Sequence, residues 1–290
     1  MTDVDGREPC RCCGEAAGWT RVLDVASTDT PDRFAIARCG ACGVLRTTPV
    51  PVDLSPYYAT DLAATMTTRA NPLFAALRRV QLGRELGRIV RHGDPGTLVD
   101  VGCGTGELVA AAQRRGIRAL GADAAAMPPA ELGVAHFVRF DFETYALDVR
   151  ADTVVLRHVL EHARDPFAML TRLRERGARR FYVVVPDAGS RECRLLGAAW
   201  YLWDPPRHLW HFDRGTLARL CARAGLAVVE EGSDAASILA PSVYRARRLR
   251  GWPSMIYGRF GPTSAVAAAS APLDRLLGGN VAWVVAQAGD

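Results

Sequence analysis

Val99-Asp100-Val101-Gly102-Cys103-Gly104-Thr105-Gly106-Glu107 is the stretch whose reading decides the fold. Thr97 to Val101 is a short β-branched apolar run, expected as a buried strand, and Glu107 to Arg115 (ELVAAAQRR) carries helix-forming residues at helical spacing. Three glycines lie between them. Glycine permits positive φ and lets a ligand approach main-chain N–H groups at the start of a helix, where the dipole favours negative charge. Spacing separates the candidate sites. A dinucleotide turn G-x-G-x-x-G beginning at Gly102 needs glycine where Glu107 stands. A phosphate loop needs Gly-Lys-Ser/Thr, and the chain contains no lysine. What remains is G-x-G-x-G behind the acidic Asp100, with a second acidic residue, Asp123, after the next expected strand, Arg118 to Ala122.

At 290 residues the chain is long enough for one large α/β domain and a small appendage. Hydrophobic residues at 49% and charged residues at 23% are ordinary for a globular protein. All 36 basic residues are arginine, but 31 acidic residues are interspersed and the net charge is +5, so nucleic acid is not implied. The polar N-terminal stretch lacks the basic and apolar regions of a signal peptide, and no run is long enough to span a membrane. A cytoplasmic protein is the expectation. The arginine-rich stretch Tyr244 to Trp252, with Arg259 beyond it, offers a basic face for a substrate diphosphate or a membrane surface, or simply a solvated face.

Five of the eight cysteines lie in the first 42 residues, a clustering that favours metal over disulfides. Cys10-x-x-Cys13-Gly14 and Cys39-x-x-Cys42-Gly43 are two matched knuckles, each able to present two thiolates to one tetrahedral ion; buried free thiols are the alternative. Zn(2+) is the expected metal, structural because four thiolates close its coordination shell, and Cys12 is read as a bystander. The expected organisation is a zinc-ribbon module over 1–51, a helical linker or lid over 52–94, and a cofactor domain over 95–290. Tyr57 and Tyr58 could cap the site or pack; Pro72 to Arg91 is expected as an amphipathic helix.

Further along, Ala135 to Phe140, Thr153 to Arg157, Phe181 to Pro186, Leu226 to Glu230 and Asn280 to Gln287 read as strands. Ala168 to Arg176 and Gly215 to Ala224 read as helices. His158-Val159-Leu160-Glu161-His162 matches a zinc-peptidase signature, but it begins where a buried strand ends and not inside a long helix. Trp200, Tyr201, Trp203, Trp210 and Phe212 make the segment after the fifth strand unusually aromatic, as though to cover a compact substrate.

These motifs together resemble the class I S-adenosylmethionine-dependent methyltransferases. The resemblance implies an α/β fold: a Rossmann-like, seven-stranded class I methyltransferase sheet with an antiparallel last strand, here preceded by an N-terminal zinc ribbon. It implies a cofactor set of Asp100, Gly102, Cys103, Gly104, Gly106, Asp123, Ala124, Asp141, Phe142 and Arg157. In the family the glycine turn wraps the methionine part of the cofactor, Asp123 would accept from the ribose diol, and Asp141 with Phe142 would border the adenine. The segment His158 to Phe167 resembles a stretch that lies beside the transferred methyl, which makes His158 a candidate for substrate contact. A four-cysteine module on this domain is similar to C-methyltransferases of nucleotide-linked deoxysugars and to other natural-product methyltransferases. In the sugar enzymes an E-H-x-x-x-F segment carries a catalytic histidine, which implies the same role for His208 in Arg207-His208-Leu209-Trp210-His211-Phe212, although arginine replaces the glutamate. The implied acceptor is a small natural-product molecule or nucleotide-sugar. O- or N-methylation of an aromatic or lipid-like metabolite, and a non-catalytic binding scaffold, are the other readings.

Overall fold

The computed structural model describes residues 8–16, 18–27, 30–58, 72–124, 132–236, 242, 245 and 276–289, apart from the side chains of 72–75, 77 and 134. In chain order the regular elements are β1 (Trp19–Ala26), β2 (Arg33–Cys39), β3 (Leu45–Thr48), α1 (Pro72–Arg91), β4 (Leu98–Val101), α2 (Glu107–Gln113), β5 (Ala119–Asp123) and β6 (Phe137–Asp141). There follow β7 (Ala146–Leu147), β8 (Thr153–Arg157), α3 (Pro166–Glu175), β9 (Arg180–Pro186), α4 (Arg191–Leu196), β10 (Trp210–His211), α5 (Arg214–Arg223), β11 (Leu226–Asp234) and β12 (Val281–Ala288). Two compact units result, and they do not follow chain order. One comprises 1–65, 186–217 and 232–282, the other 66–185, 218–231 and 283–290.

The second unit is built on an eight-stranded sheet of order β11-β12-β9-β8-β4-β5-β6-β7. The seven expected strands are all present, and the two-residue β7 adds an eighth at one edge by pairing antiparallel with β6. β5, β4, β8 and β9 run parallel, with Leu98 opposite both Ala119 and Thr153. Leu98, Val99 and Val101 of β4 and Val154, Val155 and Leu156 of β8 are fully buried, which is why these strands read as continuous apolar runs and not as alternating ones. From β4 the chain proceeds one way to β5 and β6, and later the other way from β8 to β9. This reversal puts the topological switch point at the carboxyl ends of β4 and β8, the kind of place where open α/β sheets bind ligands. Helix α3 starts two residues earlier than expected, because the Asp165 side chain caps it by accepting from the Ala168 N–H at 2.9 Å and Pro166 suits the first turn.

The first unit carries a four-stranded antiparallel sheet, β1-β2-β3-β10. Its core joins Val25, Phe34, Ile36 and Leu45 to Cys193, Trp200 and Trp203. The strands of residues 19–48 thus share one interior with the segment after β9. Trp200 (0% exposed), Trp203 (2%), Trp210 (6%) and Phe212 (0%) are interior side chains, so the expectation that this aromatic segment covers a substrate is corrected for these four. A strand set too small to form a core of its own takes the rings as filling. Arg245, expected on a basic face, is buried and donates to the carbonyls of Trp200, Tyr201 and Ala26. The rest of the arginine-rich stretch lies outside the described residues. Tyr57 packs: its hydroxyl donates to Asp32 at 2.7 Å and its ring meets Phe34 edge-on. Among the described residues, no helix is long and apolar enough to cross a membrane.

The glycine turn sets one constraint on the second unit directly. Gly102 has φ +70°, and a Cβ there would stand 2.5 Å from Val159 Cγ2. Gly102→Ala is expected to cost about 1–3 kcal/mol. Val159→Ala should restore part of that loss by removing the clash but not the backbone strain. Thermal denaturation of the two single variants and the double variant measures both terms, and additive losses would contradict the contact.

Candidate functional site

The turn after β4 has positive φ at Gly102, Gly104 and Gly106 (70°, 51° and 78°), and Gly106 also caps α2 in the left-handed region. Main-chain bonds from Gly102 and Cys103 to the Ala122 carbonyl, 2.7 and 3.2 Å, fasten the turn to β5. A Cβ placed on Gly104 would meet nothing within 4 Å, so the turn has open space there. Asp123 ends β5, accepting from the Gly104 N–H at 3.1 Å and from the Ala124 N–H at 2.8 Å through different oxygens. Each carboxylate oxygen keeps a further lone pair for a hydroxyl donor. Cys103 is buried, and burial pushes its thiol up to about 12, so it packs and does not react.

Asp141 ends β6 with a carboxylate that accepts from the Glu143 and Thr144 N–H groups and from the Thr144 hydroxyl. The Thr144 hydroxyl leads in holding its pKa below the usual carboxylate range. Its neighbour Phe142 sets its ring edge-on to Phe140, centroids 4.7 Å apart. Asp100 is 2% exposed in β4, and its carboxyl is pushed up to about 7, first by burial, with Glu85 and Asp123 adding to the rise while Arg157 and Arg78 oppose it. Arg157, at the end of β8, places Nε 3.0 Å from Glu85 Oε2.

His158 follows with φ +55°, a conformation unusual for a residue with a Cβ, and its Nδ1 lies 3.3 Å from the fully buried Glu161 Oε1. Leu160–His162 forms a single 3-10 turn, so His158 and His162 do not stack on one α-helical face as the peptidase signature requires. The structure therefore brings Asp100, Gly102, Cys103, Gly104, Gly106, Asp123 and Ala124 into one turn-and-strand-end cluster. Asp141, Phe142, Arg157 and His158 lie at carboxyl ends of the same sheet. Glu85 escaped the sequence reading, although one acidic residue on an otherwise apolar helix stripe was the available signal.

The first unit holds the remaining predicted residues. Its knuckles close identically, with Gly14 N–H donating to the Cys10 carbonyl and Gly43 N–H to the Cys39 carbonyl. Cys10, Cys13, Cys39 and Cys42 place their four sulfurs within 4.8 Å of one another, with Cys10–Cys42 at 3.8 Å and Cys13–Cys39 at 3.9 Å. Four thiolates at about 2.3 Å from one tetrahedral ion would stand about 3.8 Å apart, so the donor set fits zinc.

His208 is 7% exposed, and its Nδ1 lies 2.8 Å from the Leu202 carbonyl. A carbonyl can only accept, so Nδ1 carries a proton, which leaves Nε2, 3.9 Å from Asp204 Oδ2, as the basic nitrogen of the neutral ring. The loop that holds it is tied from three sides. Thr47 of β3 donates its N–H to the Leu209 carbonyl at 2.9 Å and its hydroxyl to the His208 carbonyl at 2.7 Å. Asp204, in the left-handed region at φ +35°, pairs in bidentate fashion with Arg207 at 2.9 and 2.6 Å. Arg207 also donates to the Tyr57 carbonyl at 3.3 Å. Arg207 is thus a buried tie inside the loop.

A family model described as a methyltransferase domain matches residues 74–231. The chain belongs to this family. It is a class I S-adenosylmethionine-dependent methyltransferase. Among solved structures, it is similar to the Burkholderia thailandensis 1,6-didemethyltoxoflavin-N1-methyltransferase with its substrate and S-adenosylhomocysteine bound. That match has 14% identity and a TM-score of 0.50, covering 89% of this chain and 96% of that one. A methyltransferase from Archaeoglobus fulgidus matches at 17% identity and TM-score 0.47 over 73% of this chain and 93% of that one. The Synechocystis magnesium protoporphyrin IX methyltransferase with S-adenosylhomocysteine matches at 15% and 0.47 over 81% and 92%. No curated protein matches by sequence.

The Thr47 hydroxyl, spent as donor on His208, must accept from His211 Nε2 at 2.9 Å, which assigns His211 the Nε2–H tautomer. Burial first, and His208 second, hold the His211 pKa well below 6.5. The unfolded chain takes up that proton near the ordinary value and the folded one does not, so His211 costs stability as pH falls below about 6.5. Imidazole nitrogen shifts should stay those of a neutral ring to pH 5, and Thr47→Val should change them. Titration of His211 near 6.5 would contradict the burial.

Proposed function

We propose that the methyltransferase acts on a small natural-product acceptor, methylating a carbon next to a carbonyl with His208 as the base. The observation that carries this reading is the fixed tautomer of His208, whose Nδ1–H is spent on the Leu202 carbonyl so that Nε2 is the basic nitrogen. A neutral imidazole suits proton removal near pH 7. S-adenosylmethionine, when bound, supplies a methyl group on a sulfonium. In this reading the role of His208 would be to take up on Nε2 the proton that the acceptor carbon gives up in exchange for the methyl group. The buried ties through Thr47 and Asp204–Arg207 support a base held in one orientation, which an in-line displacement requires.

The cofactor set belongs to the same reading. The Gly102–Gly106 turn would take the methionine part, Asp123 the ribose hydroxyls, and Asp141 with Phe142 the adenine end. Three left-handed glycines, open space over Gly104 and the spare acceptor capacity of Asp123 support these roles. Zinc on Cys10, Cys13, Cys39 and Cys42 completes it, as a structural ion that offsets the small core of the strands it joins. A nucleotide-linked acceptor would need cations other than Arg207, which Asp204 already neutralises.

Calorimetry should show S-adenosylhomocysteine binding that Asp123→Ala weakens by about 1.5–3 kcal/mol, the range for hydrogen bonds to a charged group. Binding of NADH in its place would overturn the cofactor assignment. His208→Gln should lower turnover of a keto-sugar nucleotide by at least about a hundredfold while cofactor affinity stays near wild type, since a base acts in the transition state. Near-normal turnover by that variant rejects the base. Elemental analysis should find one zinc per chain, unchanged in Cys12→Ser and lost in Cys42→Ser, and metal-free protein purified without chelator would reject the ribbon site.

A further inference from the structure

Helix α1 sets Leu82, Leu86 and Ile89 into the interior of the second unit, and on the same side it buries one carboxylate, Glu85, at 2% exposure. A buried charge is costly, and replacing a buried ion pair by apolar side chains is often neutral or stabilising. Stability alone therefore gives little reason for glutamate on this stripe. An ion pair and three hydrogen bonds link it to its neighbours in one series. Arg157 Nε lies 3.0 Å from Glu85 Oε2, and Gln81 Nε2 donates to Glu85 Oε1 at 3.0 Å. Arg78 donates to Gln81 Oε1 at 3.0 Å and to Glu107 Oε2 at 3.0 Å. Positions 78, 81 and 85 fall on one face of the helix, which is what lets the series form.

The two ends of the series are informative. Glu107 is the first residue of α2, directly after Gly106, and Arg157 is the last residue of β8, directly before His158. We propose that Glu85 is a positioning residue of the cofactor pocket, holding Arg157 directly and Glu107 by way of Gln81 and Arg78, from a helix outside the glycine-turn motif. This rests on the glycine turn receiving the cofactor as proposed above.

Charge gives the arrangement a second consequence. Asp100 is faced by Arg157 from β8, by Arg78 and Glu85 from α1, and by Asp123 from β5. Glu85 pairs with the arginine that would otherwise neutralise Asp100, so the carboxylates around the turn outnumber the guanidinium groups. An acid-rich surround favours a ligand that brings an ammonium group, and such a ligand draws the Asp100 carboxyl towards its ionised form. Cofactor binding should then release protons near pH 7, where Asp100 sits by virtue of burial.

The probe is S-adenosylhomocysteine, titrated calorimetrically into the full chain at pH 7 in phosphate and in Tris, so that the difference in enthalpy reports the protons exchanged. Wild type should release protons on binding. Glu85→Gln should bind about tenfold more weakly and release fewer, because Arg157 is freed to neutralise Asp100, an effect within the coupling range of residues in one network. Gln81→Met breaks the series at an exposed position and should weaken binding severalfold with little change in melting temperature. Wild-type affinity and proton release in both variants, whatever their stability, would overturn the proposal. Should Glu85→Gln not fold, Gln81→Met decides alone, and unchanged affinity there has the same effect. A wild type that ignores S-adenosylhomocysteine removes the cofactor-site reading and this one with it, whereas wild-type binding with indifferent variants removes only this one.

Discussion

The second unit depends on a backbone that must stay left-handed at Gly102, Gly104 and Gly106 between a buried strand and a helix. Any side chain at Gly102 would run into Val159, and the helix that follows starts from a left-handed cap. The arrangement holds because β4 lies in the middle of the sheet, with β5 and β8 bonded to its two edges. A central strand fixes where its turn ends, and the reversal of strand order beside it puts the turn at the topological switch point of the sheet. Asp123 and the Gly104 N–H are thereby brought together.

Charge is handled differently in the two units. Around the glycine turn, burial first and the neighbouring carboxylates second raise the Asp100 carboxyl to about 7, against the opposing pull of Arg157 and Arg78. Around His208 the charges cancel locally. Asp204 and Arg207 close on each other, and His211 is kept neutral by burial. The first arrangement suits reversible binding of a cationic molecule. The second suits a loop whose purpose is to stay where it is.

The ribbon and the segment after β9 are one structural problem with one solution. Four short strands cannot bury enough apolar surface by themselves, and β10 is only two residues long. Trp200 and Trp203 supply the missing volume, and the four-sulfur cluster ties together the knuckle before β1 and the one between β2 and β3. Thr47 then carries rigidity from β3 into the histidine loop through bonds to residues 208, 209 and 211. The loop's geometry is set by a strand more than 150 residues away in the sequence.

Local signals determined a good deal. Apolar runs, glycine spacing and the two C-x-x-C-G knuckles are short-range patterns whose physics acts within a few residues, so the strands, the turn, the cysteine cluster and the family were legible in the chain alone. Asp165 lay inside the segment His158 to Phe167 that resembles a methyltransferase stretch, and only the structure explains it as a helix cap. What the sequence did not reveal depends on distant partners. An aromatic-rich segment reads the same whether it faces a ligand or an interior, and here the strands of the ribbon decided for the interior. Arg245 reads as part of a basic face, yet the Trp200, Tyr201 and Ala26 carbonyls that receive it come from elsewhere in the fold. Glu85 reads as one polar residue on a helix; its meaning arises only when Arg157, some seventy residues later, is brought to its side. Hydrogen bonds and ion pairs between remote residues are fixed by packing, and packing is a property of the tertiary structure alone.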